Sequence, residues 1–159
     1  MNVTNRLILI PLLYLSLAGS VCPQAPLEDE PRTKTDLREA IFRYMFEHYD
    51  YGPDVKAFCI QPERPQPERF LGRFSGDKRR VVWASDCELT GPMNGIRQKK
   101  TGERGVRMTI LSIQWVNDGE AEAKVQAFSD GIAANWNILR VVRRDGHWIV
   151  KSDTNNGVS

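Results

Sequence analysis

Histidine is the scarcest of the chemistry-bearing residues in this chain: His48 and His147 are the only two in 159 residues. That inventory excludes a histidine-built zinc site, and neither Cys59 nor Cys87 has a Cys or His neighbour at ligand spacing. No metal or cofactor is therefore expected. A phosphate-binding glycine motif is also missing. The glycines of Gly102-Glu103-Arg104-Gly105 precede a strand pattern, so they set no helix N-terminus against a phosphate. There is no Gly-x-Ser-x-Gly elbow, and Ser85 and Ser129 stand in no nucleophile context. An excess of one charge is lacking too: 22 Lys+Arg oppose 20 Asp+Glu, which gives no global reason to expect a nucleic-acid partner. Internal repeats are absent. What is present, 41% hydrophobic residues in a chain of one-domain length, describes a small globular fold.

The N-terminus reads as an address. Arg6 is the only charge in residues 1–20, and an apolar run from Leu7 to Leu17 follows it, interrupted by Pro11. A spanning helix needs about 20 apolar residues, so this run is too short and reads as the core of a signal peptide. Ala18 and Ser20 suit signal peptidase, which predicts cleavage after Ser20 and a mature start at Val21 with no transmembrane span. Secretion or a periplasmic location follows, in a bacterial protein. Cys22 offers lipid anchoring as a minor alternative, because Val21 directly before it fits a lipoprotein signal poorly. Residues 21–32 carry Pro23, Pro26 and Pro31 with Glu28, Asp29 and Glu30, the composition of a disordered linker. Residues 33–159 form the single expected domain. Export into an oxidising compartment predicts a disulfide between Cys59 and Cys87, both in strand-like segments.

Thr33–Tyr49 is the one extended helical pattern. Thr33 or Thr35 is the expected cap, with Asp36 and Glu39 in the first turn. Leu37, Ile41, Tyr44, Met45 and His48 share a face that Phe42, Phe46 and Tyr49 widen, leaving Arg38, Arg43 and Glu47 to solvent. Gly52-Pro53 stops the helix. Val55–Ile60 reads as a strand, the prolines at 62, 65 and 67 exclude regular structure, and Glu68–Phe74 suits one or two helical turns. Arg79–Leu89 reads as one strand and Thr90–Gly105 as a loop. The basic Arg97–Arg107 stretch is either a solvated hairpin tip or a contact for an anionic surface or glycan.

The last third alternates more clearly. Strands are predicted over Val106–Val116, Ala121–Ser129, Ala133–Arg143 and His147–Lys151, joined at Asn117-Asp118-Gly119, Asp130-Gly131 and Asp145-Gly146. Ala121, Ala123, Val125 and Ala127 share one face. In the next strand Ala134, Trp136, Ile138 and Val142 are placed together, opposite Asn135, Asn137 and Arg143. Core packing is expected to account for most of Trp83, Trp115, Trp136 and Trp148. Short turns between consecutive strands make a β-meander. The fold class is α+β, an N-terminal helix packed on a curved antiparallel meander sheet.

The order of helix, late long strands and terminal Asp145-Gly146-His147-Trp148-Ile149-Val150 resembles the cystatin-like and nuclear-transport-factor-like superfamilies. The resemblance covers residues 33–152 and implies a bent sheet wrapped around the helix. Enzymes of such cone-shaped folds place acid–base groups between helix and sheet, which makes His48, beside Tyr44, the candidate catalytic residue. Asp86 and Asp130 are further carboxylates for such a pocket, although a turn or surface role is the better account of both. The other reading of His48 is a half-buried residue near a helix C-terminus, favoured by the dipole. With no acid–base pair fully specified, the inventory favours non-catalytic binding of a small ligand or an envelope protein. The alternative is a pocket enzyme of ketosteroid-isomerase or dehydratase type using His48 and Tyr44. Cystatin-type inhibition is disfavoured, since Lys124-Val125-Gln126-Ala127 does not supply the Gln-x-Val-x-Gly loop.

Overall fold

A computed structural model describes residues 31–49, 51–91, 95–129 and 134–158. The expected signal peptide, Cys22, the linker up to residue 30 and the Asp130-Gly131 turn lie outside the described residues. Helix α1 runs Arg32–His48, one residue earlier than the periodicity predicts. Thr33 and Thr35 therefore sit inside it and do not cap it; Pro31 precedes it with no side-chain cap. Asp36 and Glu39 fall beyond the first turn and answer a cation instead of the dipole, accepting from Arg73 at 2.7 and 2.6 Å. Gly52, with a φ of 76°, makes the reversal after the helix that a side chain would strain.

Eight strands follow among the described residues: β1 Ala57–Gln61, β2 Arg80–Trp83, β3 Cys87–Leu89, β4 Ile96–Gln98, β5 Arg104–Asn117, β6 Glu120–Phe128, β7 Ala134–Arg144 and β8 His147–Val158. They form one sheet in the order β2-β1-β5-β6-β7-β8, with β3 paired to β4 and β4 to β5. From β5 onward the path is the antiparallel meander. The sheet as a whole is mixed, because β1 runs parallel to both β2 and β5. A parallel pair needs a crossover, and the proline segment with the 3-10 helix Glu68–Phe74 supplies it. Gly105 permits the β1–β5 contact: a Cβ there would lie 3.1 Å from Cys59 Sγ and 3.2 Å from the Ala57 carbonyl oxygen.

Strand expectations need correction, beginning with the predicted loop 90–105, which contains β4. Arg79–Leu89 is not one strand but β2, a 3-10 turn over Ala84–Asp86, and β3, which turns away to pair with β4. In β7 the predicted apolar face is the outer one. Register decides this: Asn137 and Leu139 stand opposite Val125 and Ala123, both in the core, so Leu139 and Val141 point inward with Asn137. Trp136 lies outside under the Lys124 ammonium, 4.1 Å from its ring centroid, and Ile138 is exposed.

The core lies between α1 and the sheet. Leu37, Ile41, Phe42 and Met45 are fully buried and meet Val106, Met108, Ile110, Val125 and Leu139 in one continuous apolar cluster. The helix packs against β7 and β8 on this side. The 3-10 helix closes its other flank, with Phe42 edge-on to Phe70 and Phe74 at 6.5 and 6.3 Å. That flank overturns the solvent placement of Arg38 and gives Arg43, whose side chain stays 40% exposed, partners of its own. Arg38 is 3% exposed and bound to Glu63 of the proline segment. Arg43 donates to the Arg73 carbonyl at 2.6 Å and stands over Phe74. Of the four tryptophans, Trp148 alone is buried, donating its indole N–H to the Thr33 carbonyl at 3.0 Å; Trp115 is 40% exposed.

Cys59 and Cys87 form a disulfide that joins β1 to β3, with Cα atoms 6.3 Å apart. Both sulfurs lie on the sheet face away from α1, in a small cluster with Ile96, Val82 and Phe128. Among the described residues no helix is long and apolar enough to cross a membrane.

Candidate functional site

His48 and Tyr44 are one turn apart near the end of α1, and their rings stack at 4.1 Å with planes 13° apart. His48 is exposed. Its Nδ1 lies 3.1 Å from the Tyr44 carbonyl, which accepts only, so Nδ1 carries the proton and Nε2 is the basic nitrogen of the neutral ring. The Tyr44 hydroxyl donates to Asp153 Oδ2 at 3.2 Å and not to the histidine. The two residues share a stack, therefore, and no proton path joins the hydroxyl to the imidazole.

Both line an open groove of about 780 Å³ between α1 and the β7–β8 hairpin. This groove is open and lies beside the buried apolar cluster, not within it. His147 lies in it as well, exposed beside the Asp145-Gly146 turn. Part of its charge is mutually answered: Arg73 holds Asp36 and Glu39, and Arg43 bonds Glu39 at 2.9 Å. Asp86, the other described carboxylate singled out from the sequence, is exposed in the turn before β3, and its carbonyl accepts from the Lys99 N–H at 2.8 Å.

Asp153 is the residue that sequence reasoning missed. The predicted last strand stops at Lys151, whereas β8 continues to Val158. A register shift opposite Arg140 and Val141 puts Asp153 across from Leu139, on the core side. There it accepts from Tyr44 and Asn137. Tyr49 and Tyr51 continue the cluster, with successive ring centroids from Tyr44 onward 6.3 and 6.2 Å apart. Burial, then the Asp153 carboxylate, raise the Tyr44 and Tyr49 phenols above the ordinary tyrosine range. Burial and then Tyr49 raise that of Tyr51. The Tyr49 hydroxyl is buried close to Asp153 without a well-formed hydrogen bond, and the buried Tyr51 hydroxyl has no partner among the described residues. Phenols held protonated in this way are poor general bases.

A second open groove, of about 690 Å³, lies where β1 and β2 end, between the proline segment and the turn after Trp83. Among the described residues no three His, Cys, Asp or Glu side chains gather at metal-ligand spacing. Comparison with protein-family models, with curated proteins and with solved structures finds no match for this chain.

Proposed function

We propose that this chain is an exported, non-catalytic binding domain of the bacterial cell envelope that takes its ligand in a surface groove. One observation carries the reading: the chain's own side chains fill the space between helix and sheet. A pocket enzyme of the ketosteroid-isomerase or dehydratase type needs a hollow there, with its acid–base groups facing inward. Here Phe42, Met45 and Ile41 occupy that position, and His48 is outside it. The helix followed by a meander supports a cystatin-like or nuclear-transport-factor-like layout, from which the parallel β1–β2 pair is a departure.

Two measurements test the reading. Intact mass of the protein recovered from the periplasm or medium should begin at Val21; a chain beginning at Met1, or acylated at Cys22, overturns the address. Titration of the isotopically labelled protein with small carboxylates, phosphates, sugars and amines should shift amide signals in a groove and leave the titrant unchanged. Turnover of a steroid enone or a hydroxyacyl thioester, abolished by Tyr44→Phe or His48→Ala, overturns the non-catalytic role.

A further inference from the structure

β1 is parallel to both β2 and β5, so the three strands start at the same end of the sheet. Lys56, just before β1, is held between the other two. Its N–H donates to the Arg104 carbonyl at 2.8 Å, and its carbonyl accepts from the Arg80 N–H at 3.0 Å. A third open groove, of about 480 Å³, lies at that end, where Lys56, Lys78, Arg79 and Arg80 line it together with Asp77 and Glu103.

Both lining carboxylates are already engaged. Asp77 accepts from Arg43 at 3.3 Å, while Glu103 accepts from the Thr101 hydroxyl at 2.9 Å and stands 3.9 Å from Arg80. Asp54, close to Lys56 in the chain, is bonded to Arg104. Three lining cations form no salt bridge among the described residues. Lys56 is exposed, and its ammonium donates to the neutral Pro53 carbonyl at 2.9 Å. Lys78 is exposed with no partner among the described residues. The Arg79 guanidinium stands over the Phe58 ring, 5.1 Å from its centroid. The basic stretch Arg97–Arg107 does not supply this charge, because Arg97 donates to the Gly102 carbonyl, Lys99 to the Ser85 carbonyl and Arg104 to Asp54. A chain close to neutral overall therefore gathers unanswered positive charge at one end of its sheet.

These cations are spread along an open groove and enclose no single point, which suits a chain of repeated charges better than one small anion. Neighbouring strands lie about 4.8 Å apart, so cations at successive strand starts form a row. The exposed large apolar residues among those described are Leu89, Leu111, Trp115, Val116, Ile138 and Ile149, and none of them lines the groove; Phe74, which does, is buried. The groove thus offers no side chain to insert into a bilayer and no ring on which a base could stack. We propose that it docks an acidic polysaccharide, a sugar chain carrying successive carboxylates or sulfates, on Lys56, Lys78 and Arg79. The assignment rests on the reading of the chain as an exported binding domain and names its ligand class.

The test is calorimetric titration of the whole exported protein with a heparin-derived octasaccharide, an oligogalacturonate of equal length and neutral maltooctaose. At least one acidic oligosaccharide should bind saturably, the tighter of the two naming sulfate or carboxylate, and maltooctaose should not bind. Affinity should fall about tenfold or more between about 50 and 200 mM salt, as counterions compete for the cations. Lys56→Ala combined with Lys78→Ala should weaken binding about fivefold or more. The charge-matched pair Lys124→Ala and Lys151→Ala, in β6 and β8, should leave it unchanged. If the first double variant fails to fold, Lys78→Glu alone decides, since that exposed side chain has no partner to lose among the described residues. Absence of saturable binding by both acidic oligosaccharides, equal binding of maltooctaose, equal losses from the two lysine pairs, or tighter binding of phosphatidylglycerol vesicles or duplex DNA overturns the proposal. Cleavage of a bound oligosaccharide would instead overturn the non-catalytic reading and leave the docking site standing.

Discussion

Arg38 and Glu63 are 25 residues apart in the chain and are joined side chain to side chain, Nε donating to Oε2 at 3.0 Å, with the guanidinium almost wholly enclosed. The pair fastens the proline segment, one wall of the second groove, to the flank of α1. Its partners are unequally buried, at 3% and 16% exposure, so removing them should have unequal effects. Glu63→Gln takes the counter-charge from a buried cation and should cost about 3–5 kcal/mol. Arg38→Met leaves a carboxylate within reach of water and should cost less. The double replacement Arg38→Met with Glu63→Leu should recover most of the loss, because an apolar pair needs no desolvation of charge. Urea titration of the three variants checks the order; equal losses from both single changes would remove this account.

The disulfide closes a loop over a sequence separation of 28 residues that contains the proline segment, the 3-10 helix and β2. On the chain-entropy estimate, replacing Cys59 and Cys87 by Ser should cost about 3.6 kcal/mol. Peptide mapping of the exported protein without reduction should recover the two cysteines linked. Alkylation of either thiol before reduction, or a Cys22 linkage, would contradict the pairing.

Phe42 is fully buried and touches the 3-10 helix through Phe70 and Phe74 as well as Phe46 within α1. Phe42→Ala should therefore loosen α1 and the 3-10 helix together, at about 3–5 kcal/mol. A loss below about 1 kcal/mol in denaturant would be incompatible with a ring at the centre of the core.

Tyr51 should behave in the opposite sense. Its buried hydroxyl has no partner among the described residues, so Tyr51→Phe removes a desolvated group without breaking a bond, and stability should stay level or rise by about 1 kcal/mol. The same phenol sets an alkaline limit. Tyr44, Tyr49 and Tyr51 all have their pKa raised in the folded state. Their protons are held in the fold while the unfolded chain releases them above about pH 10, so stability is fully present below that pH and falls as pH rises beyond it. Melting temperature should decline steeply on the alkaline side, and Tyr51→Phe should make the decline shallower. An unchanged slope in that variant would place the alkaline transition elsewhere.

Local chemistry by itself determined the elements whose pattern is short-ranged. The aromatic-rich face of α1 repeats every turn, β6 alternates Ala121, Ala123, Val125 and Ala127 inward, and Asp145-Gly146 makes its turn with left-handed backbone at both residues. Glu68–Phe74 was legible as helical turns, and the two cysteines as a pair once an oxidising compartment was inferred. Tertiary structure alone decided what depends on partners distant in sequence. The parallel β1–β5 contact rests on Gly105, whose small size the chain does not explain until Cys59 lies against it. The facing of β7 follows from register with β6, so bulky Trp136 and Ile138 end outside, contrary to what their size suggests. Asp153 enters the tyrosine cluster because β8 outruns its apolar pattern and shifts register. Arg38 and Arg107 show the same limit from two sides. A cation between apolar neighbours reads as solvated in any local window, and only the folded chain shows that one is enclosed with Glu63 while the other has a buried nitrogen without a partner among the described residues. The physical reason is range: periodicity and turn preference act over a few residues, whereas register, parallel pairing and the burial of charge are set by contacts between segments tens of residues apart.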